Sequence, residues 1–176
     1  MLAEKRLRNK GLLMKQYAKQ DQRIMATWAA DCAERVLPLF EQAYPDDDRP
    51  RKALEACRTW VRTGVFTMAD IRGASLAAHA AARAAKENPA ACFAARAAGQ
   101  AVATAHVPQH AFGSAYYALK ALAAADPAHA QVEITKEHAW QAEQIAATLR
   151  PEFLKRVLIQ ERKRGIGITV QKDADF

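Results

Sequence analysis

The sequence is poor in residues that staple a chain, cradle phosphates or break helices. Its three cysteines, Cys32, Cys57 and Cys92, are an odd number at wide spacing with no CxxC pair. That excludes a disulfide framework or a cysteine zinc site and fits small buried hydrophobes in a reducing compartment. The seven glycines are scattered, and Gly165-x-Gly167 alone makes no phosphate-binding loop. With only seven prolines besides, collagen-like repeats and disorder are excluded. No GxSxG elbow marks a nucleophilic serine, and no Glu follows His106, so the HExxH zinc-protease signature is absent. The stretch from Ala97 to Leu119 runs 23 residues without Asp, Glu, Lys or Arg. It carries Gln100, His106, Pro108, Gln109 and His110, too polar for a membrane span, and reads as the buried centre of a bundle. The opening MLAEKRLRNKGLLMKQ has no apolar core, so no secretory leader is expected.

What is abundant is alanine, at 41 of 176 positions. Alanine is the best helix former and is depleted in strands, so an all-α fold is predicted: a single-domain bundle of about seven or eight helices. Small side chains let such helices approach closely and gain contacts from backbone proximity. The expected organisation is a basic N-terminal arm over 1–20, a helical domain over 21–164 and a tail over 165–176. The net charge of +7 resides at the two ends. The middle of the chain is nearly neutral, unlike a nucleic-acid-binding domain with a basic face.

Helix boundaries follow from local chemistry. Met25, Trp28, Cys32, Val36 and Phe40 recur at three- and four-residue steps on one face of a helix capped by Asp21 and bent or ended at Pro38. The turn AYPDDDRP places Asp46, Asp47 and Asp48 to accept hydrogen bonds from the next helix, Arg49–Arg62, which ends at Gly64. Thr67 is predicted to cap another, and Asn88-Pro89 marks a further start. A helix after Pro108 carries Phe112, Tyr116, Leu119 and Leu122, and Asp126-Pro127 closes it. A last pair is expected over about Thr135–Leu149 and Pro151–Arg164, with no convincing sheet and a tail with little helix preference.

Few constellations point to chemistry. His106 and His110 have HxxxH spacing, but Pro108 between them straddles a helix start, so a structural pair is favoured over a metal site. Arg83 and Arg96 each sit alone among alanines. They belong either at the edge of that face with their heads in water, the favoured reading, or in internal ties to Asp70, Asp31 or the 46–48 acids. Arg49, Arg51, Arg58 and Arg62 lie beside the acidic turn, as a solvated helix with intrahelical ion pairs or as a mixed-charge surface for a charged protein partner. Trp28, Trp60 and Trp140 on apolar stripes are expected in the core.

The runs DDRPRKALE (Asp47–Glu55) and ATAHVPQHA (Ala103–Ala111), with AAHAAARAA between them, resemble the Imm5-like family of bacterial immunity proteins. The likeness covers roughly residues 25–125 well and the Glu133–Arg150 segment more loosely. It implies a helical protein, encoded beside a polymorphic toxin, that binds and neutralises that toxin in the cytoplasm without cofactor, metal or catalysis. It draws attention to Asp47, Arg49, Arg51, His106 and His110, for packing or for binding. Two other functions stay open: a small-molecule- or metal-binding protein or enzyme with a pocket around His79, Arg83, His106 and His110, and a nucleic-acid binder using both basic ends.

Overall fold

The apolar steps from Met25 onward form helix α1 (Lys19–Val36), which buries Met25, Trp28, Ala29, Cys32, Ala33 and Val36. The computed structural model describes residues 15–163, 165–173 and 176. Asp21 does not cap α1; it sits inside the first turn, where its charge complements the helix dipole. Pro38 has no N–H to donate, so the helix stops and restarts as the single turn α2 (Pro38–Glu41).

Five longer helices follow: α3 (Arg49–Thr63), α4 (Met68–Ala84), α5 (Pro89–Ala103), α6 (His110–Ala125) and α7 (Ala130–Gln144). Gly64 ends α3 at φ 69°, a left-handed conformation that a side chain would strain. Asn88 caps α5 through its side-chain oxygen, which accepts the Ala91 N–H at 3.2 Å, and Pro89 takes the first turn. Thr67 occupies the cap position of α4 without a side-chain cap bond.

Helix α5 is the axis of the molecule. It buries Ala91, Cys92, Ala94, Ala95, Ala97, Ala98, Gly99, Ala101 and Val102, and it touches α1, α2, α3, α4 and α6. Only small residues allow one helix so many close neighbours. Buried polar groups stitch the layers. Ser114 donates to the carbonyls of Ala29 at 2.8 Å and Ala97 at 3.1 Å, and the Trp28 indole donates to the Gln141 carbonyl at 2.9 Å. Trp28 also packs edge-on against Phe112 and Phe153. Trp60 is buried as expected, while Trp140 is only partly so.

The C-terminal region departs from the helical expectation. Helix α8 (Arg150–Arg156) lasts two turns, and the chain then forms a hairpin of β1 (Val157–Arg162) and β2 (Gly165–Val170). The strands are antiparallel, pairing Val157 with Val170 and Ile159 with Ile168, and Gly165 at φ 101° allows the reversal. β-branched Val157, Ile159, Ile166, Ile168 and Val170 favour the pleated arrangement over a helix continued to 164. Arg156, fully buried, fastens the end of the chain: it pairs with Glu152 and with Asp173, the latter at 2.7 Å, beneath the ring of Phe176.

Of the arm expected over 1–20, residues 1–14 lie outside the described residues. Lys15 pairs with Glu152 at 2.6 Å, and its carbonyl accepts the Gln109 side chain at 3.0 Å. Among the described residues no helix is long and apolar enough to cross a membrane.

Candidate functional site

Two parts of the surface gather the residues singled out by sequence. On the first, α3 packs on α1, and its arginines meet acids of α1, of α2 and of the turn before α3. Asp47 takes the backbone N–H of Arg49 at 3.2 Å and its guanidinium at 2.8 Å. That hydrogen bond from Arg49 holds the Asp47 carboxyl below its usual range, outweighing the opposite effect of partial burial. Arg51 bridges Glu41 at 2.8 Å and Glu34, and Arg58 reaches Asp31 at 3.0 Å. The hydrogen bond to Glu41 leads the effects that raise the Arg51 pKa. The ties of Arg51 and Arg58 run between helices, whereas Asp47–Arg49 and Lys52–Asp48, the latter at 2.8 Å, are local pairs. Asp31 and Glu34 meet these arginines because α1 packs against α3, and Glu41 at the end of α2 reaches Arg51 from the same side.

The second part is the end of the bundle where α4, α5 and the 104–109 connection meet. His110 opens α6, and its Nδ1 lies 2.7 Å from Gln100 Oε1 on α5. Because that oxygen only accepts, Nδ1 carries the proton and Nε2 is left with a lone pair. Burial lowers the His110 pKa, and His106, His79 and Lys172 lower it further, so the ring is neutral near pH 7. His79, on α4, lies over the backbone of Gly99 and is likewise lowered, first by burial and then by Arg96 and Arg83. His106 is exposed on the connection. The three imidazoles are thus neighbours, but among the described residues no three His, Cys, Asp or Glu side chains converge as metal ligands.

Arg83 stands exposed at the end of α4, and Arg96 lies over the ring of Tyr117 at 5.7 Å. Among the described residues neither meets Asp70, Asp31 or the 46–48 acids. His110 borders two clefts. One, of about 380 Å³, is lined by Gln100, Gln109, Tyr116, Tyr117 and Lys172. The other, of about 340 Å³, lies between α4 and the 104–109 connection and is lined by Met68, Arg72, Leu76 and His106.

A family model described as "Imm-5 like putative immunity protein" matches residues 15–148. The chain belongs to this family. The Imm5-like span begins just before α1 and includes α7, so it contains both surface regions and leaves out α8 and the hairpin. No curated protein and no solved structure matches the chain.

Within the Imm5-like span several residues were not singled out by sequence. Glu137 on α7 is buried and receives Arg35 Nε at 3.0 and 2.9 Å, with the guanidinium stacked 4.0 Å from the Trp140 ring. Gln100 packs on Gly113, where a β-carbon would lie 2.5 Å from its Oε1. Met68, Arg72 and Leu76 form part of an exposed stripe on α4 whose signal, a step of four, is diluted by surrounding alanines.

Proposed function

We propose that this immunity-family protein acts in the cytoplasm by binding a cognate protein toxin and occluding it, without catalysis and without a cofactor. Family membership supplies the general role. The observation that carries the binding reading is the placement of exposed apolar side chains. Six large hydrophobics are exposed among the described residues, and four of them, Val65, Phe66, Met68 and Leu76, lie on the α3–α4 connection and α4. Scattered exposed hydrophobics are ordinary, but a concentration beside a cleft marks an interaction surface. The testing experiment is co-expression with the product of the adjacent gene: a stoichiometric complex on size exclusion and rescue of growth are expected. Failure of both overturns the reading.

A small-molecule reading has one observation behind it. Gln109 is 3% exposed, its amide nitrogen is committed to the Lys15 carbonyl, and its Oε1 has no hydrogen-bond partner among the described residues. It lines the larger cleft beside His110, as an acceptor for an N–H or O–H donor. A ligand or metal retained through purification, seen by intact-mass or metal analysis and lost in a Gln109→Leu or His106→Ala/His110→Ala variant, would favour it.

A further inference from the structure

The family-motif residues of α3 and the stripe on α4 differ in how their charges are spent. On the α1–α3 face the guanidiniums of Arg49, Arg51 and Arg58 already hold carboxylates of this chain. On α4, Arg72 and Arg83 are exposed, and among the described residues neither has a carboxylate partner. Asp70, the one acid of that helix, lies two residues before Arg72, about 160° from it around the helix axis, and so on the opposite side.

Met68, Arg72, Leu76, His79 and Arg83 follow one another at steps of four, four, three and four residues, which puts them on one stripe of α4. The stripe is about 22 Å long at 1.5 Å per residue, a span suited to one side of a standard interface. Met68 and Leu76 are 43% and 54% exposed, so apolar and cationic side chains alternate along it. Beside it runs the cleft of about 340 Å³ with Ile71 at its buried edge and His106 at its rim.

We infer that this α4 stripe, and not the motif-bearing α3 face, is the principal docking surface, and that its partner is an acidic protein surface presenting a large apolar side chain. The inference rests on the reading that the chain binds a protein, and it assigns both the face and the chemistry of what meets it. Carboxylates of the partner satisfy Arg72 and Arg83, and its apolar anchor enters the cleft between Met68, Leu76 and the 104–109 connection. Charge pairs at such a rim steer encounter, while the apolar anchor slows dissociation. The α3 face is less available, because a partner's carboxylates must compete there with Glu34, Glu41, Asp31 and Asp47.

The test uses the purified, catalytically disarmed toxin domain encoded beside this chain, titrated against four full-length proteins: wild type, Arg72→Glu/Arg83→Glu, Leu76→Glu and the α3 control Lys52→Glu. All four substitutions fall on exposed side chains, and melting temperatures verify the fold. Each α4 variant is expected to weaken Kd by about tenfold or more, with Lys52→Glu within about twofold. The wild-type association rate should fall with added salt, and hydrogen-exchange protection should appear over 68–83. A smaller loss from the α4 variants, or an equal loss from the control, overturns the assignment of the face while the binding reading stands. No wild-type complex at all overturns the binding reading itself.

Discussion

The His79 ring of α4 lies directly over the backbone of α5 at Gly99, with Nε2 2.9 Å from the point a β-carbon at 99 would occupy. The absence of a side chain at 99 is what lets the two helices approach there, with Ser75 adding a hydrogen bond to the Gly99 carbonyl at 3.0 Å. In an isolated helix Gly99→Ala would stabilise by about 1 kcal/mol. Here overpacking against the imidazole costs about 1–3 kcal/mol and outweighs that gain. Gly99→Ala is therefore expected to lower Tm by about 2–4 °C, and to raise it when introduced into a His79→Ala background. Thermal unfolding of the four proteins checks this; a Tm loss of equal size in both backgrounds would show that His79 is not the obstacle.

The same histidines make stability depend on pH. Burial leads the effects that put the folded pKa of His79 and of His110 below the ordinary 6.5. The unfolded chain then binds protons more readily than the folded one, so the stability involved is complete above 6.5 and drains as pH falls from there through the folded pKa. Tm should decline between pH 7 and 5, and His110→Asn, which keeps a donor near the Nδ1 position, should decline less. A His110 imidazole that takes up its proton above pH 6.5 in an NMR titration would contradict this.

Arg35 and Glu137 clamp α1 to α7. Glu137 is 4% exposed, so deleting Arg35 leaves a carboxylate with no guanidinium in a nearly dry position. Breaking a fully buried pair costs ~3–5 kcal/mol; the half-exposed Arg35 head reduces this to about 2 kcal/mol. Arg35→Ala should lower Tm by about 4–8 °C, and Glu137→Gln added to it should recover part of the loss. A double variant less stable than Arg35→Ala would instead identify the Trp140 stack as the main contribution.

These tests also mark where local chemistry sufficed and where it did not. The end of α3 at Gly64 and the start of α5 at Asn88-Pro89 were legible, because a left-handed glycine and a side-chain cap act within one turn. So was the buried role of α5, since nothing but packing rewards so many alanines. The hairpin was hidden because Phe153, Leu158 and the polar run Gln160–Arg162 also fit a helical period. What decides it is the pairing with 165–170, which no local window contains. At the surface, residue types were legible but their partners were not. Arg51 and Arg58 of α3 looked like members of local pairs, yet Glu34, Asp31 and Glu41 reach them from other helices. Gln100 and Glu137 gave no signal, since only their tertiary neighbours distinguish them from solvated side chains.

Cys57 supplies a final test of the core. Burial pushes its thiol pKa up to about 12, and its Sγ donates to the Ala101 carbonyl at 3.3 Å. Cys32 is fully buried and raised as well, by burial first and then by Glu137 and Asp31. Only the thiolate attacks a disulfide reagent, so at pH 8 neither group should react with an aromatic disulfide while the bundle is closed. In a Cys92→Ala background, labelling should wait on opening of α3 and α1 away from α5 and should accelerate in step with added urea. Two thiols reacting at the rate of an unfolded control, without denaturant, would mean that the alanine-lined interfaces open far more easily than their packing implies.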